Sequence, residues 1–218
     1  MGPAAHIEAE KRVAAEAAAE LVESGMRVGL GTGSTVLHLL PALARRRLRG
    51  LRCVATSVAT HAQAEALGIR VEPFDALDAL DIAIDGADQV APDGWLVKGG
   101  GGAHTREKVV AAASARFVVI ASSNKLVDAL RPPVPVELLP FGLAATLRAL
   151  APVTVRAGAP RSPDGGVIAD VLGEVVDPAV VAARLDAVPG VVEHGLFPAA
   201  MVSDVLIARG AEVELRVV

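Results

Sequence analysis

The sequence predicts an α/β fold with an open, Rossmann-like and mainly parallel sheet, helices on both faces of that sheet, and a smaller α+β lobe. The first observation is that short apolar runs alternate with helical stretches along the first part of the chain. The second is a continuous apolar run at residues 117–121, which is typical of a parallel strand buried on both faces. The third is a change after about residue 130, where prolines and polar turns interrupt the alternation.

The elements of the larger domain follow from the spacing of apolar residues and from the turn signals between them. An Ala- and Glu-rich helix is expected first, with Gly25 as a fitting stop. The predicted elements are, in order, a helix at 4–23, a strand at 26–30, a helix at 36–48, a strand at 51–55, a helix near 58–67, a short extended segment at 69–71, a strand at 81–84 and a strand at 117–121.

The smaller lobe is expected to begin with a stiff, extended connector at residues 131–135, where three of the five residues are proline. Beyond it, the pattern predicts a helix near 142–150, a strand near 152–156, a polar turn at 162–166 and a helix near 178–187. We predict a Rossmann-like catalytic domain over residues 1–130, to which residues 199–218 return. Residues 131–198 form the smaller α+β lobe, which we expect to make an oligomer contact.

Composition and charge argue against nucleic-acid partners. The formal net charge is −4. The one basic cluster, Arg45, Arg46, Arg47 and Arg49, lies at the end of a predicted helix, where positive charge suits the helix dipole. With one Trp, four Phe and no Tyr, the chain lacks the aromatic platforms on which single-stranded nucleic acids stack. We therefore predict no nucleic-acid partner.

The distribution of apolar residues also argues against a membrane protein. No stretch reaches the roughly 18 consecutive apolar residues of a membrane span. Residues 1–10 lack the positive start and the apolar block of a secretory signal, which predicts a cytoplasmic location. Cys53 is the only cysteine, so no disulfide can form within one chain, and its strand-like surroundings indicate a small buried hydrophobe.

Polar segments fall at the predicted carboxyl ends of strands, which is where open parallel sheets bind ligands. Residues 29–35 read GLGTGST, in which glycines let the backbone approach an anion and hydroxyls add donors. The Walker A ending and the full GxGxxG spacing are both missing. This segment is either a phosphate cradle or an ordinary turn with a Ser or Thr helix cap. Residues 56–60 again place hydroxyls at a strand-to-helix junction, where capping is the simpler interpretation.

Two further segments carry charged residues. Asp85 and Asp88 bracket a Gly-Ala turn, and they can hold a polyol or a metal ion, or form a turn and a helix cap. The sequence shows no obvious further set of metal ligands, so we predict no metal. Lys98 precedes four consecutive glycines, whose conformational cost is tolerated where backbone meets a ligand. Glu107 follows as either a catalytic group or a first-turn helix carboxylate, whereas His104 is expected to be structural or exposed.

Taken in order, these segments resemble the A-type ribose-5-phosphate isomerase family. The matching stretches are GLGTGSTV at 29–36, IDGADQV at 84–90, VKGGGGAHTREKVV at 97–110, SSNKLV at 122–127, PVPVELLPFG at 133–142 and PGVVEHGLF at 189–197. Each stretch alone is weakly to moderately specific, but the ordered set over nearly the whole chain is highly specific. The resemblance implies an enzyme that needs no metal or organic cofactor and that is usually a homodimer or homotetramer.

The family pattern implies roles for individual residues. Glu107 matches the proton acceptor, and Asp85, Asp88 and Lys98 complete the expected catalytic set. The expected substrate-binding residues are Thr32, Gly33, Ser34, Thr35, Asp85, Gly86, Ala87, Asp88, Lys98, Gly99, Gly100, Gly101 and Lys125. Lys11, on the first predicted helix, is a candidate for a further substrate contact. The chain departs from the family pattern at Gln89, at His104 and at residues 198–204.

The resemblance implies an aldose–ketose isomerase that interconverts D-ribose 5-phosphate and D-ribulose 5-phosphate through a cis-enediolate, in the non-oxidative pentose phosphate pathway. Its expected partner is therefore a small phosphopentose. A competing hypothesis is a non-catalytic sugar-phosphate sensor, although the sequence shows no basic DNA-binding module. An amino-sugar phosphate deaminating isomerase and a coenzyme A transferase would need different catalytic groups. A mononucleotide-binding domain would need a Walker lysine and a ribose carboxylate, and both are missing.

Overall fold

The computed structural model describes residues 2–218, so Met1, the first residue of the predicted catalytic domain, lies outside the described residues. The helices of the described part are α1 (Pro3–Ala19), α2 (Val36–Arg46), α3 (Val58–Ala66), α4 (His104–Ala112), α5 (Leu143–Leu150) and α6 (Pro178–Asp186). The strands are β1 (Arg27–Leu30), β2 (Arg52–Ala55), β3 (Ile82–Gly86), β4 (Gln89–Val90), β5 (Leu96–Val97), β6 (Phe117–Ser122), β7 (Val134–Leu138), β8 (Val153–Val155), β9 (Val167–Val171), β10 (Val191–His194), β11 (Leu196–Phe197), β12 (Asp204–Arg209) and β13 (Glu212–Val217).

The chain divides into two compact units. The first comprises the described residues up to Ala87, together with Arg106–Leu126 and Ala200–Val218, and the second comprises Asp88–Thr105 and Val127–Ala199. Residues 88–105, which the sequence analysis assigned to the larger domain, fall in the second unit. The reason is that β4 and β5 from this segment pair with each other and with β11 in a three-stranded sheet.

The first unit is built on a six-stranded sheet in the order β13-β12-β6-β3-β1-β2. All of its pairings are parallel except that of β12 with β13. Strand β6 is buried along its whole length, as its apolar sequence predicts. The α/β fold with a mainly parallel sheet is thereby confirmed.

Helices cover both faces of this sheet, as side-chain alternation along β1 shows. Val28 and Leu30 belong to an apolar core that also contains buried residues of α1 and α2. Gly29 faces the other way, where a Cβ atom would lie 2.4 Å from Cγ1 of Val110 on α4. Cys53 is fully buried in the first core, and burial raises the pKa of its thiol to about 12. This agrees with its interpretation as a small hydrophobe.

The second unit contains a four-stranded antiparallel sheet in the order β10-β7-β9-β8, together with α5 and α6. The expectation that residues 131–135 form only a connector is wrong, because Val134 already begins β7 and pairs with Val171 of β9. Strands β7 and β9 enclose a separate apolar core that includes Val136, Leu138 and Ala169. Within residues 2–218, no helix combines the length and the apolar character needed to cross a bilayer.

Candidate active site

Polar loops of the first unit collect at one edge of the six-stranded sheet. Strands β1, β2, β3 and β6 are parallel, so their carboxyl ends lie on the same side. Residues 31–35 follow β1, residues 56–57 follow β2, Asp85 lies near the end of β3, and the turn Ser123–Lys125 follows β6. Predicted site residues that are far apart in sequence therefore share one edge of the sheet.

Asp85 links two of these loops by hydrogen bonds from backbone N–H groups. Its Oδ1 atom accepts from Thr32 N at 3.0 Å and from Gly86 N at 2.7 Å. The side chain is only 3% exposed, because Gly31 leaves room for it. A Cβ atom at Gly31 would lie 2.0 Å from Cγ and Oδ1 of Asp85, so only glycine fits. The close approach of loop and carboxylate thus depends on a glycine and an aspartate 54 positions apart in sequence.

Hydroxyl groups brace the loop that follows β1. Thr32 Oγ1 lies 2.7 Å from Thr56 Oγ1, and Thr60 Oγ1 donates to the carbonyl oxygen of Gly31 at 2.9 Å. Ser57 Oγ accepts from Thr60 N at 3.2 Å and so caps α3, as the simpler interpretation of residues 56–60 predicted. Thr56 and Thr60 thus hold the loop that follows β1 by hydrogen bonds, which explains why hydroxyls recur at the ends of both β1 and β2.

Residues 33–35 lead directly into α2. Gly33 has φ +119°, a conformation that favours glycine, and Thr35 is a buried residue at the N-cap position. Helix α2 begins at Val36, so its first N–H groups and the positive end of its dipole face this loop. The geometry suits an anion such as a phosphate group.

Glu107 lies in the first turn of α4, as its sequence position predicted. Its side chain is 5% exposed, which is unusual for a carboxylate on a helix. A buried carboxylate with restricted freedom is suited to removing a proton from a bound substrate.

In the second unit, Lys98 is a buried cation that follows β5. Its side chain is 3% exposed, and Nζ lies 5.4 Å from the centroid of the Phe197 ring, within the range of a cation–π interaction. The Lys98 backbone N–H donates to the carbonyl oxygen of Gly195 at 2.8 Å, which fixes the start of the glycine-rich segment.

The glycine loop, residues 99–102, turns tightly after Lys98. Gly102 N donates to the Gly99 carbonyl oxygen at 3.0 Å, and Gly100 N donates to Oδ2 of Asp88 at 2.7 Å. Gly99 has φ +107°, and a Cβ atom there would lie 2.7 Å from Nδ1 of His104. His104 is fully buried, so this departure from the family pattern fills space beneath the loop.

The remaining candidates have defined surroundings. Lys125 is half-buried and closes the turn Ser123–Lys125, whereas Lys11 Nζ pairs with Oε1 of Glu8 at 2.6 Å. The Gln89 side chain donates to the Arg131 carbonyl oxygen and accepts from the Arg131 N–H, both at 2.8 Å. A glutamate carboxylate at position 89 could not donate to the carbonyl oxygen. This second departure from the family pattern therefore adds a hydrogen bond to the backbone of Arg131.

One group of side chains in the second unit has the composition of a metal site. Asp186, Glu193 and His194 each offer a ligand atom, and these atoms lie within 4.8 Å of one another. However, Nδ1 of His194 accepts from Leu196 N at 3.2 Å, which places the ring proton on Nε2. Nε2 in turn lies 3.2 Å from Oδ1 of Asp186. A protonated nitrogen donates to the carboxylate and cannot bind a cation, so the hydrogen bonds favour a His–Asp pair.

Sequence reasoning missed several buried or partly buried polar residues that surround these loops. Glu10 accepts from the Ser123 N–H at 2.9 Å, and Arg156 donates to the carbonyl oxygens of Gly99 and Gly100. Glu137 accepts hydrogen bonds from the hydroxyls of Thr105 and Ser162. Of these residues, only Glu10 could have been recognised as buried from the sequence, because its spacing places it on the same face of α1 as Ala14 and Ala18.

Comparisons with known proteins agree on one family. A family model described as ribose 5-phosphate isomerase A (phosphoriboisomerase A) matches residues 52–212. Ribose-5-phosphate isomerase A of Nitrobacter hamburgensis is 49% identical over 209 residues, which cover 88% of this chain and 90% of the relative. The crystal structure of ribose 5 phosphate isomerase A from Neisseria gonorrhoeae has a TM-score of 0.92 at 31% identity and covers 97% of both chains. A D-ribose-5-phosphate isomerase in complex with phospho-erythronic acid has a TM-score of 0.91 at 31% identity, covering 97% of this chain and 99% of that one.

Proposed function

This chain belongs to the ribose 5-phosphate isomerase A family, and we propose that it interconverts D-ribose 5-phosphate and D-ribulose 5-phosphate. The observation that carries the proposal is the buried carboxylate of Glu107 at the start of α4, which follows the glycine loop within the region matched by the family model. The non-catalytic sensor gains no support from the relatives, which are isomerases.

We assign the proton transfer to Glu107. An aldose–ketose isomerisation moves a proton between C2 and C1 while O1 and O2 exchange protonation. The Glu107 carboxylate takes the proton from C2 of the open-chain aldose and returns it at C1 of a cis-enediolate. A positioned general base of this kind contributes about 10²–10⁴-fold in rate.

The enediolate oxygen carries negative charge and needs donors that are already in place. Lys98 supplies a cation, and the backbone N–H groups of Gly99 and Gly101 supply dipoles, whereas the N–H of Gly100 is bound by Asp88. Preorganised donors of this type often make the largest single contribution to catalysis. Asp85 and Asp88 are assigned to sugar hydroxyls, and one of them shuttles the proton between O1 and O2.

The phosphate group is assigned to the loop that precedes α2, with Thr32, Gly33, Ser34 and Thr35 as its binding residues and Lys125 as a cation. Gly86 and Ala87, which lie between Asp85 and Asp88 in the sequence, are assigned to substrate binding as part of the same segment. Because the phosphate is remote from C1 and C2, its binding energy can orient the reacting carbons.

We further propose that the enzyme works in the cytoplasm without metal or organic cofactor, as a homodimer or homotetramer. Support for self-association comes from apolar side chains on the second unit. Phe141 is 92% exposed, and two further apolar residues are also exposed, Leu139 directly after β7 and Val192 on β10, the strand that pairs with β7. Sedimentation of the purified protein measures the oligomeric state directly.

The experiment that tests the proposed function is the formation of ribulose 5-phosphate from ribose 5-phosphate by purified protein after treatment with EDTA. We expect full turnover, because Glu107 and the loop donors need no metal. Binding of ribose 5-phosphate without turnover would favour the sensor. Activity that returns only after a divalent metal is restored would contradict the metal-free mechanism and give Asp85 and Asp88 a different role.

A further inference from the structure

We propose that Arg156 is a positioning residue for this isomerisation, acting by fixing the orientation of the peptide groups in the glycine loop. The inference rests on the proposed function, since it takes the N–H groups of that loop as donors to the substrate. Arg156 follows β8 directly, and its side chain is about one quarter exposed, at 24%.

The guanidinium group contacts two successive carbonyl groups of the loop. Nη1 of Arg156 donates to the carbonyl oxygen of Gly99 at 3.0 Å and to that of Gly100 at 3.0 Å. Asp88 holds the same loop through the Gly100 N–H at 2.7 Å. The peptide group between Gly99 and Gly100 is therefore held at its oxygen by Arg156 and at its nitrogen by Asp88.

The next peptide group follows from planarity. In a trans peptide the carbonyl oxygen and the following N–H point in opposite directions. Because the Gly100 oxygen faces Arg156, the N–H of Gly101 faces away from Arg156. Glycine has more backbone freedom than any other residue, so this direction would be poorly defined without an external contact. Arg156 thus selects one orientation for a donor that the proposed mechanism uses.

Asp170 fixes Arg156 in turn. Nε and Nη2 of Arg156 donate to the two carboxylate oxygens of Asp170, at 3.0 Å and 2.5 Å. These hydrogen bonds raise the pKa of the Arg156 guanidinium, so the group stays charged. Asp170 lies on β9 opposite Thr154 of β8, which places its carboxylate within reach. The planar guanidinium can bind one carboxylate with one edge while Nη1 binds the loop.

This geometry predicts that lysine cannot replace Arg156. A single ammonium group can reach Asp170 or the loop carbonyls, but it cannot hold the fork to Asp170 and both carbonyl groups together. We expect Arg156→Lys to lower kcat by about tenfold to a hundredfold, the range for misplaced catalytic groups, with a smaller change in KM. The affinity for phospho-erythronic acid should fall as well, because its planar carboxylate presents two oxygens as the enediolate does.

The test compares Arg156→Lys and Asp170→Asn with Arg148→Lys, which changes an exposed arginine on α5 and should behave like the wild type. Each variant is measured for kcat, KM, affinity for phospho-erythronic acid and urea-induced unfolding. Asp170→Asn leaves Arg156 in the chain and should change kcat in the same direction by a smaller factor, so it tests the inference even where Arg156→Lys does not fold. Added guanidinium should partly restore kcat to Arg156→Ala.

The outcomes separate this inference from the proposed function. Wild-type kcat and inhibitor affinity in Arg156→Lys would overturn it, as would a loss of kcat that only follows the fraction of unfolded protein. An inactive wild type would refute the proposed isomerisation, and weaker binding of phospho-erythronic acid to Arg156→Lys would then still support the positioning of the loop.

Discussion

At the scale of single residues, Gly31 and Asp85 depend on each other. Asp85 accepts hydrogen bonds from two backbone N–H groups. Its carboxylate occupies space that a side chain at position 31 would fill. The sequence motifs predicted that both residues belong to the site, but not that they touch. Arg156 and Asp170 were missed for a related reason. Their contact depends on the register of β8 and β9, and β9 was not predicted from the sequence.

We predict that Gly31→Ala impairs catalysis far more than it impairs folding. The added methyl group would overlap Asp85, forcing the carboxylate away from Thr32 N and the loop away from its binding conformation. Overpacking of this kind costs about 1–3 kcal/mol of unfolding free energy. A shift of the substrate-binding loop by about 1 Å would lower the rate about a hundredfold. Kinetics and urea unfolding check both values. Gly173→Ala controls for the loss of a glycine, because Gly173 has no left-handed φ and an added Cβ atom would meet only the end of the Arg184 side chain, at 4.0 Å. Unchanged kcat in Gly31→Ala would contradict the role given to Asp85.

At the scale of elements, α1 is joined to the carboxyl edge of the sheet through Glu10. Its Oε2 atom accepts from the N–H and the hydroxyl of Ser123, and its Oε1 atom accepts from Gly210 N at 2.9 Å. Burial raises the pKa of the Glu10 carboxyl. The hydrogen bonds from Gly210 and Ser123 together lower it by more than burial raises it, so the pKa lies below its usual 4.5. Helix α1 thereby stabilises the turn that carries Lys125.

The sign of this shift predicts a pH dependence of stability. A carboxylate whose pKa is lowered by folding stabilises the native state above its unfolded pKa, and this contribution is lost as the pH falls through the folded value. We expect Glu10→Gln to lose about 2–3 kcal/mol of unfolding free energy near neutral pH, as hydrogen bonds to a buried charge are lost. The difference from wild type should shrink below pH 4.5, the usual carboxyl pKa.

Urea unfolding at several pH values measures this difference. Glu16→Gln on the same helix, which removes the exposed pair with Arg45, is the control and should cost about 0–1 kcal/mol. A loss in Glu10→Gln that is the same at every pH would show that the charge of Glu10 does not stabilise the fold.

At the scale of the whole molecule, the sequence pattern was sufficient to predict the parallel sheet and a smaller α+β lobe, but not strands β7, β9 and β10 of the second unit. Strand β6 was predictable because it is apolar throughout and buried on both faces. Strand β7 was not, because Pro135 lies inside it and proline ordinarily indicates a connector or an edge strand. The very short β4 and β5 have no periodicity to detect, so the sequence did not show that this segment pairs with β11.

The assignment of Glu107 as the proton-transfer base is the central claim, and the isomerisation rate of Glu107→Gln tests it most directly. The substitution keeps the shape of the side chain and removes its basicity. Glu65→Gln, an exposed glutamate on α3, is the matched control and should retain wild-type turnover. We expect Glu107→Gln to lose at least about a hundredfold in kcat while it still binds ribose 5-phosphate. Turnover near that of the wild type would contradict the account.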